Sequence, residues 1–334
     1  MHEAIATVEA LEAQVGGRPA AVDMKVIDHL DAHARRWLAA APLVFIGLSD
    51  SEGVDITVAG GAPGFATALD AGRLQLLLAQ VDDPQRVRRG HGVGLLCLIP
   101  GLGETLRING VVSAVDEDAA VIEVHECYAH CAKALLRSAF WQPSGAADLT
   151  DIPAYLQASR FMALATSDAG MHADLSPKGD PAGLLAQGDA RELRFADRPG
   201  NRRTDSFRNI LSRPRVAALL LIPGSLQIME VRGMAELSAD PALRQDFMVQ
   251  DKLPKLGTRL RPVHIAVRRS AALAQASLWG ASPVPADIDP AAVFAAHVRL
   301  HKTRGLQAAL VKGMVSIPGL MRSGLEKDYK RNLY

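Results

Sequence analysis

Cysteine, aromatic residues and net charge are all scarce in this chain. Its 334 residues include 3 Cys, 4 Tyr, 3 Trp and 8 Phe, and the formal net charge is +1. A disulfide framework uses a denser and even set of cysteines. A nucleic-acid surface uses clustered cations and aromatic stacking platforms. The composition therefore argues against both classes and predicts a cytoplasmic protein that binds no nucleic acid.

Long hydrophobic runs are missing as well. The longest aliphatic stretches, such as residues 217–222, have the length of a strand and fall short of the roughly 20 apolar residues that span a bilayer. The first residues, Met1-His-Glu-Ala4, have neither the basic start nor the apolar centre of a secretory signal. We therefore expect neither membrane insertion nor secretion, and a length that suits two domains.

Two segments that combine turn-forming residues with cations and hydroxyls carry the most chemical information. They are Asp174-Leu-Ser176-Pro-Lys178-Gly-Asp180-Pro and Asp197-Arg198-Pro-Gly200-Asn201-Arg202-Arg203-Thr-Asp205-Ser206. Gly and Pro bend the backbone so that its N–H groups converge, while Ser, Lys and Arg supply charge-assisted donors. Either segment alone is more typical of a polar surface turn. The pair, separated by a strand predicted over 192–196, indicates a phosphate-binding site.

An internal repeat organises the chain. Leu98-Ile-Pro-Gly101 recurs as Leu221-Ile-Pro-Gly224, and the Ser-Asp pair at 49–50 recurs at 167–168. In both copies, short aliphatic segments alternate with Gly and Pro turns, which is typical of a small barrel. We therefore predict two tandem barrels, copy one over about 40–120 and copy two over about 158–270.

Helices and linkers are expected around the two copies. Helices are predicted over residues 25–41, 121–138 and 290–312, and residues 142–151 form a Pro-, Gly- and Ser-rich linker. The predicted domains are 1–147 (copy one with its linking helix), 148–283 (copy two) and 284–334 (a helical extension). The extension ends in a basic segment with Lys327, Lys330 and Arg331, whose role stays open.

The two anchor segments, followed by Leu221-Ile-Pro-Gly224, resemble the pyridoxamine 5'-phosphate oxidase-like family of FMN-binding split β-barrels. The resemblance is close over about residues 155–235, and it points to an uncharacterised branch of the family. It implies a mainly β fold of two tandem FMN-binding split β-barrels with flanking helices, and FMN as the cofactor. It does not imply a substrate.

The resemblance also implies a set of cofactor contacts on the phosphate and ribityl chain of FMN. These are Asp174, Ser176, Lys178, Arg198, Asn201, Arg202, Arg203, Asp205 and Ser206. The two aspartates are expected to orient the cations and to cap the following turn or helix. The implied activity is an FMN-dependent oxidoreductase, with hydride passing between a reduced nicotinamide, NAD(P)H, or a small organic substrate and an acceptor through flavin N5.

Copy one departs from this pattern. The segment 59–63 corresponds in the repeat to residues 176–181 and lacks their hydroxyl and cation. Asp82 and Asp83 replace part of the second anchor. We expect copy one to keep the barrel without an independent cofactor site. Because split barrels of the family are normally homodimers, copy one would supply the partner surface within the chain. A second working site and a homodimer of the whole chain stay open as alternatives.

A second constellation is His125, Cys127, His130 and Cys131. On the helix predicted over 121–138, residues 127, 130 and 131 would share one face. These residue types bind metals, and a histidine could be an axial haem ligand, but cysteine is also a common small core residue, which is the interpretation we favour. We predict no metal. The alternative class of function is a non-catalytic flavin or haem carrier or sensor.

Overall fold

Two antiparallel sheets with short flanking helices make up the protein. The computed structural model describes residues 4–145, 148–200, 202–280, 284–302 and 320–334. The strands are β1 (Ala4–Ile5), β2 (Leu43–Ser49), β3 (Val54–Gly60), β4 (Ala66–Ala68), β5 (Arg73–Leu77), β6 (Gly92–Leu98), β7 (Thr105–Val115), β8 (Ala119–His130), β9 (Phe161–Ser167), β10 (Ala173–Gly179), β11 (Gln187–Gly188), β12 (Leu193–Ala196), β13 (Arg215–Leu221), β14 (Gln227–Ser238) and β15 (Gly257–Arg269). The helices are α1 (Val8–Val15), α2 (Ala32–Ala40), α3 (Lys133–Arg137), α4 (Ile152–Ala158), α5 (Asp205–Ser212), α6 (Pro241–Gln245), α7 (Ala271–Ala276), α8 (Pro290–Leu300) and α9 (Leu320–Arg331).

The two sheets have the same topology, which confirms the predicted mainly β fold and tandem arrangement. The first has the strand order β3-β2-β6-β7-β8-β5-β4, and the second has the order β10-β9-β13-β14-β15-β12-β11. Adding seven to each label of the first sheet gives the second. The short strand β1 joins the second sheet by pairing with β14. Each copy therefore forms one sheet, and the two sheets share a single strand order.

Each copy buries its own core, and a third apolar cluster lies between them. The core of copy one includes Trp37, and the core of copy two includes Tyr155. Between the sheets, Phe45 of β2 packs against Phe161 of β9 with ring centroids 5.7 Å apart, and Phe140 lies 4.9 Å from Phe161. Because burial of aromatic and aliphatic area drives association, each copy covers the apolar face of the other.

The packing of the copies is reciprocal. Helix α3, which follows copy one, lies on β10, and helix α7, which follows copy two, lies on β3. The last residue of each strand is a glycine. A Cβ added to Gly179 would stand 1.9 Å from the Ala134 carbonyl oxygen, and one added to Gly60 would stand 2.1 Å from that of Ala272. Only glycine allows each helix to approach so closely.

The helix predicted over 121–138 is wrong. Residues 119–130 form β8, and the helix that follows, α3, covers only Lys133–Arg137. The reason lies in a β-bulge: Val124 pairs with Gly110 and Glu126 pairs with Asn109, so His125 is an extra residue. A bulge breaks the two-residue alternation of a strand. Buried residues at 120, 124 and 127 then fall at the i, i+4 and i+7 spacing of a helix.

The other predicted helices are present but shorter. The first begins at Ala32 instead of residue 25, because the Asp31 carboxylate caps it by accepting from Ala34 N at 2.8 Å. Helix α8 ends at Leu300, and the predicted continuation to 312 lies outside the described residues. The domain boundaries at 147 and 283 also fall outside them and stay a prediction. No helix in the described ranges is long and apolar enough to cross a membrane.

Candidate functional site

Strand β10 and the start of helix α5 meet at a cavity of about 430 Å³. Side chains at alternate positions of a strand point to the same face, so Ser176 and Lys178 share a face of β10. The loop 197–204 then leads into α5. The cavity is lined by Val15, Arg107, His130, Ser176, Pro177, Lys178, Asp197, Arg198, Pro199, Gly200, Arg202, Arg203, Thr204, Asp205, Ser206, Phe207, Lys252, Leu253, Pro254, Lys255 and Tyr334.

The structure brings together most of the residues predicted to contact a cofactor. Seven of them line the cavity: Ser176, Lys178, Arg198, Arg202, Arg203, Asp205 and Ser206. Asp174 lines an adjoining pocket of about 440 Å³, which shares Arg203 and Asp205 with the first. Asn201 lies outside the described residues. Two segments some twenty residues apart therefore converge on one cavity.

Lys178 is a cation held among aromatic rings. Its Nζ lies 4.8 Å from the centre of the Phe207 ring and 5.7 Å from that of Phe195. Burial lowers the pKa of Lys178, and the nearby Asp197 carboxylate opposes that shift. No carboxylate of the described residues comes within ion-pair distance of Nζ. Lys178 thus has donors available for an anion in the cavity.

Arg198 is tied into the protein. Its Nε donates to Asp180 Oδ2 at 2.8 Å, and its Nη1 donates to the Phe247 carbonyl oxygen at 2.7 Å. Both charged side chains of this pair are buried, and burial raises the pKa of Asp180 to about 6 even though Arg198 opposes the shift. Nη2 of Arg198 is buried without a hydrogen-bond partner among the described residues. Arg198 therefore combines a structural ion pair with one donor free to reach a ligand.

The start of helix α5 adds main-chain donors to the cavity. Thr204, just before the helix, has a φ of 57°, and the first intrahelical hydrogen bond runs from Phe207 N to Thr204 O. The N–H groups of Asp205 and Ser206 precede this bond, and such groups at a helix N-terminus favour anions. The Ser206 side chain is buried beside them. Together with Lys178, they make this end of the cavity complementary to a phosphate.

Copy one contributes residues to the same cavity. Arg107 of β7 and His130 of β8 line it. The Arg107 guanidinium is buried, pairs with the Asp174 carboxylate of copy two and lies 5.6 Å from the centre of the Tyr128 ring. Arg203 of copy two lies 4.3 Å above the same ring. Side chains of both copies therefore interlock around Tyr128.

Arg107 and Tyr128 were missed by the sequence reasoning. The signal available was a charge inside an otherwise apolar strand of each copy, Arg107 in β7 and Glu230 in β14, at matching places in the repeat. Burial lowers the pKa of Arg107 and raises that of Tyr128 to about 12. A buried charge is costly unless a partner or ligand stabilises it, so such positions mark a site.

The equivalent residues on the other side of the molecule line a cavity of about 730 Å³, which we call the second groove, and charged side chains pair with one another in it. By strand register, Asp55 occupies the position in copy one that Asp174 occupies in copy two, and Glu230 in copy two is the equivalent of Arg107 in copy one. Arg86 donates to both carboxylate oxygens of Glu230, at 2.8 and 3.1 Å, and contacts Asp55 Oδ1 at 3.1 Å. Arg86 thus pairs with carboxylates in the second groove, whereas Lys178 in the first cavity has no carboxylate partner among the described residues.

One part of the predicted difference between the copies is wrong. By strand register, Thr57 is the equivalent of Ser176 in copy one, so the hydroxyl is retained, and Ala59 is the equivalent of Lys178, so the cation is lost. Thr57 Oγ1 donates to Asp83 Oδ2 at 3.0 Å. The retained hydroxyl is therefore occupied by one of the two carboxylates that the sequence showed in copy one.

The His and Cys constellation does not share one face. His125 is exposed at the bulge of β8, whereas Cys127 is buried and burial raises the pKa of its thiol well above the usual value. His130 lines the cavity, and burial, with help from Lys25, lowers its pKa well below the usual value. The imidazole of His130 is therefore neutral at pH 7. Within the described ranges, no three His, Cys, Asp or Glu side chains are grouped as metal ligands.

Two further histidines, His172 and His264, lie beside carboxylates near these cavities. His172 Nδ1 lies 2.9 Å from Asp168 Oδ2 at the edge of the adjoining pocket. His264 Nε2 lies 4.0 Å from Glu230 Oε1 in the second groove. His172 is exposed and His264 is half-buried, and each lies beside a carboxylate that gives it a structural role.

Comparison with known proteins identifies copy two. Residues 150–281 match the family model described as Pyridoxamine 5'-phosphate oxidase. No curated protein matches the chain. Similar solved structures include an F420 reductase (21% identity, covering 37% of this chain and 98% of that chain, TM-score 0.27). They also include a pyridoxamine 5'-phosphate oxidase-related, FMN binding protein from Nostoc punctiforme (16% identity, 33% and 75%, TM-score 0.24).

A third similar structure is HutZ, the heme storage protein from Vibrio cholerae (12% identity, 35% of this chain and 89% of that chain, TM-score 0.25). The family match falls on the copy that carries both anchor segments. At residues 150–281 the chain therefore belongs to the pyridoxamine 5'-phosphate oxidase-like family of split β-barrels.

Proposed function

We propose that the cavity binds one FMN and that the protein is an FMN-dependent oxidoreductase. The observation that carries the proposal is that the Lys178 cation, which has no carboxylate partner among the described residues, lines the same cavity of about 430 Å³ as the first residues of α5. Ligand cavities of a few hundred cubic ångströms suit molecules of this size. A phosphate at this end would satisfy donors that the described protein groups leave free.

Each lining residue has a role in this proposal. Lys178, Ser176 and Ser206 hold the phosphate together with the first N–H groups of α5. Arg198 supplies its free Nη2, and its pair with Asp180 fixes the guanidinium. Asp174 and Asp205 orient Arg107 and Arg203 rather than contact the cofactor. Asn201 and Arg202 are further contacts in the same loop.

Copy one supplies part of the cavity wall. Arg107 and His130 reach it from β7 and β8, so neither copy forms the site alone. When bound, FMN supplies the hydride chemistry at its flavin ring. The protein binds and orients the ring, and the adjoining pocket of about 440 Å³ leaves room for a reduced nicotinamide or a small organic substrate beside it. The interlocked copies serve in place of a homodimer.

The absorption spectrum of the purified protein tests the cofactor. We expect flavin bands near those of free FMN and release of FMN, identified by mass spectrometry, on denaturation. Oxidation of NADH or NADPH with added acceptors then tests the activity. A protein that neither carries flavin nor binds added FMN would contradict the proposal.

A second candidate is a non-catalytic haem-binding protein, favoured by one observation. His130 presents a neutral imidazole at the cavity wall, with Nδ1 3.4 Å from the Cys131 carbonyl oxygen. A neutral imidazole with one nitrogen directed to a carbonyl is a suitable axial ligand. A Soret band that disappears in His130→Ala would support haem, whereas a flavin spectrum unaffected by His130→Ala would exclude it as the resident group.

A further inference from the structure

The end of the chain folds back onto the cavity. We call residues 320–334, which comprise α9 and the three residues after it, the tail. Lys133 Nζ contacts Asp328 Oδ2 at 2.8 Å, and the Tyr329 hydroxyl donates to Glu104 Oε1 at 3.0 Å. The same hydroxyl accepts from Ala132 N at 3.2 Å. These contacts anchor the tail to copy one beside the cavity.

Beyond α9, the chain reaches the cationic end of the cavity. Arg137 Nε donates to the Leu333 carbonyl oxygen at 2.6 Å, and Lys252 Nζ donates to the main-chain oxygen of Tyr334 at 2.7 Å. The Tyr334 ring lies 5.6 Å from the Arg137 guanidinium and 5.7 Å from that of Arg198. Cation–π contacts at such distances are attractive. Tyr334 is therefore fixed in the wall of the cavity next to its phosphate-binding groups.

The position of Tyr334 affects whether a ligand can extend beyond a phosphate bound in the cavity. In FMN the phosphate ends the molecule, so it needs only the donors of Lys178 and the start of α5. In FAD the corresponding phosphate continues into a second phosphate and adenosine, which must leave the cavity past its cationic end. There the extension would meet Tyr334, held by Arg137 and Lys252 through the main chain and by Arg198 through its ring.

We infer that Tyr334 makes the site selective for a flavin that ends in a phosphate monoester and against one extended beyond the phosphate. This inference rests on the proposed function, because it concerns which flavin the same cavity accepts. Tyr334 acts here as a specificity-determining residue. The ring and the two main-chain contacts keep the tail in place. An extended flavin must displace the tail, and this cost weakens the binding of the extended flavin alone.

The test compares the affinities of FMN and FAD for four full-length proteins by quenching of flavin fluorescence. The proteins are the unaltered chain, Tyr334→Ala, Tyr334→Phe and, as a matched control on an exposed position of α9, Lys327→Ala. The unaltered chain should bind FMN at least about tenfold more tightly than FAD. Tyr334→Ala should lower this ratio about fivefold, as expected when two cation–π contacts are lost. Tyr334→Phe and Lys327→Ala should preserve it.

Two failures are distinguishable. If the unaltered chain binds FMN but shows no preference over FAD, or if Tyr334→Ala leaves the ratio unchanged, the tail does not select the ligand and this inference is overturned while FMN binding stands. If none of the four proteins binds either flavin although each melts cooperatively, the proposed function is overturned as well. A ratio that falls in Tyr334→Ala and recovers in Tyr334→Phe supports the inference.

Discussion

Lys178→Met should separate phosphate binding from folding at the proposed site. Methionine keeps an unbranched apolar stem between the Phe195 and Phe207 rings and removes only the cation. No carboxylate of the described residues is ion-paired with Lys178, so the substitution leaves no broken salt bridge behind. The loss of binding can therefore be attributed to the ligand contact itself.

The magnitude follows from the kind of contact. A charge-assisted hydrogen bond contributes about 1.5–3 kcal/mol, so the dissociation constant for FMN should rise about ten- to hundredfold. Riboflavin has no phosphate, and its affinity should change by less than about threefold. Because burial lowers the pKa of Lys178, the folded protein disfavours this charge, and the ligand-free variant should unfold at a slightly higher temperature.

The assay is titration of each flavin into ligand-free protein, with Lys327→Met as a control that removes the same charge from an exposed position. Equal losses of affinity for FMN and riboflavin in Lys178→Met would refute the assignment, because they would place the lysine away from the phosphate. Unchanged affinity for FMN would refute it also.

Two further predictions concern stability. Gly179→Ala should lower the free energy of unfolding by about 2–3 kcal/mol, because its Cβ would meet the carbonyl oxygen of Ala134, whereas Gly324→Ala in α9, where nothing lies within 4 Å, should be neutral or stabilising. Burial lowers the pKa of Lys25 from its ordinary value of 10.5 to about 8. The folded state then binds fewer protons than the unfolded state between about pH 8 and 10.5, so stability rises with pH across that window. Lys25→Met should remove a rise on the order of 2 kcal/mol between pH 7 and 10.

Denaturant unfolding of these variants checks both predictions. A Gly179→Ala protein as stable as the unaltered chain would show that α3 can move away from β10 without cost, and the close reciprocal packing of the copies would lose its support. If the difference in unfolding free energy between the unaltered chain and Lys25→Met is the same at pH 7 and pH 10, the lysine is not desolvated as its position indicates.

The repeat and its topology could be predicted because they depend on local signals. The paired Leu-Ile-Pro-Gly turns sit between sequential strands in both copies, and the family match falls on the copy with both anchor segments. Turn chemistry and strand alternation act over a few residues, so a single sequence displays them.

The helix predicted over residues 121–138 was wrong for a local reason as well. The extra residue at His125 shifts the alternation of β8, and a shifted strand pattern is not distinguishable from a helical one over a dozen residues. The same bulge occurs in copy two between Arg232 and Gly233. Comparison of the two copies at this place would have indicated a strand in both.

The charge pair between Arg86 and Glu230 in the second groove could not be predicted. Arg86 and Glu230 are 144 residues apart, and nothing in either local sequence indicates that the two side chains meet. The same holds for Tyr334, which reaches Arg137 and Arg198 only through the folding of the tail. Such pairs depend on how the copies pack, which is set by the whole apolar interface between the sheets.

The ratio of flavin to polypeptide tests the central claim most directly. Copy two keeps Lys178 and the α5 start facing a cavity, while Arg86 and Glu230 neutralise each other in the second groove. The protein should be saturated with FMN, freed of excess flavin and denatured, and the released flavin should then be quantified against the chain. We predict a ratio of one FMN per chain. A ratio close to two would show that both grooves bind, and a ratio close to zero would show that neither does; each result would contradict the prediction.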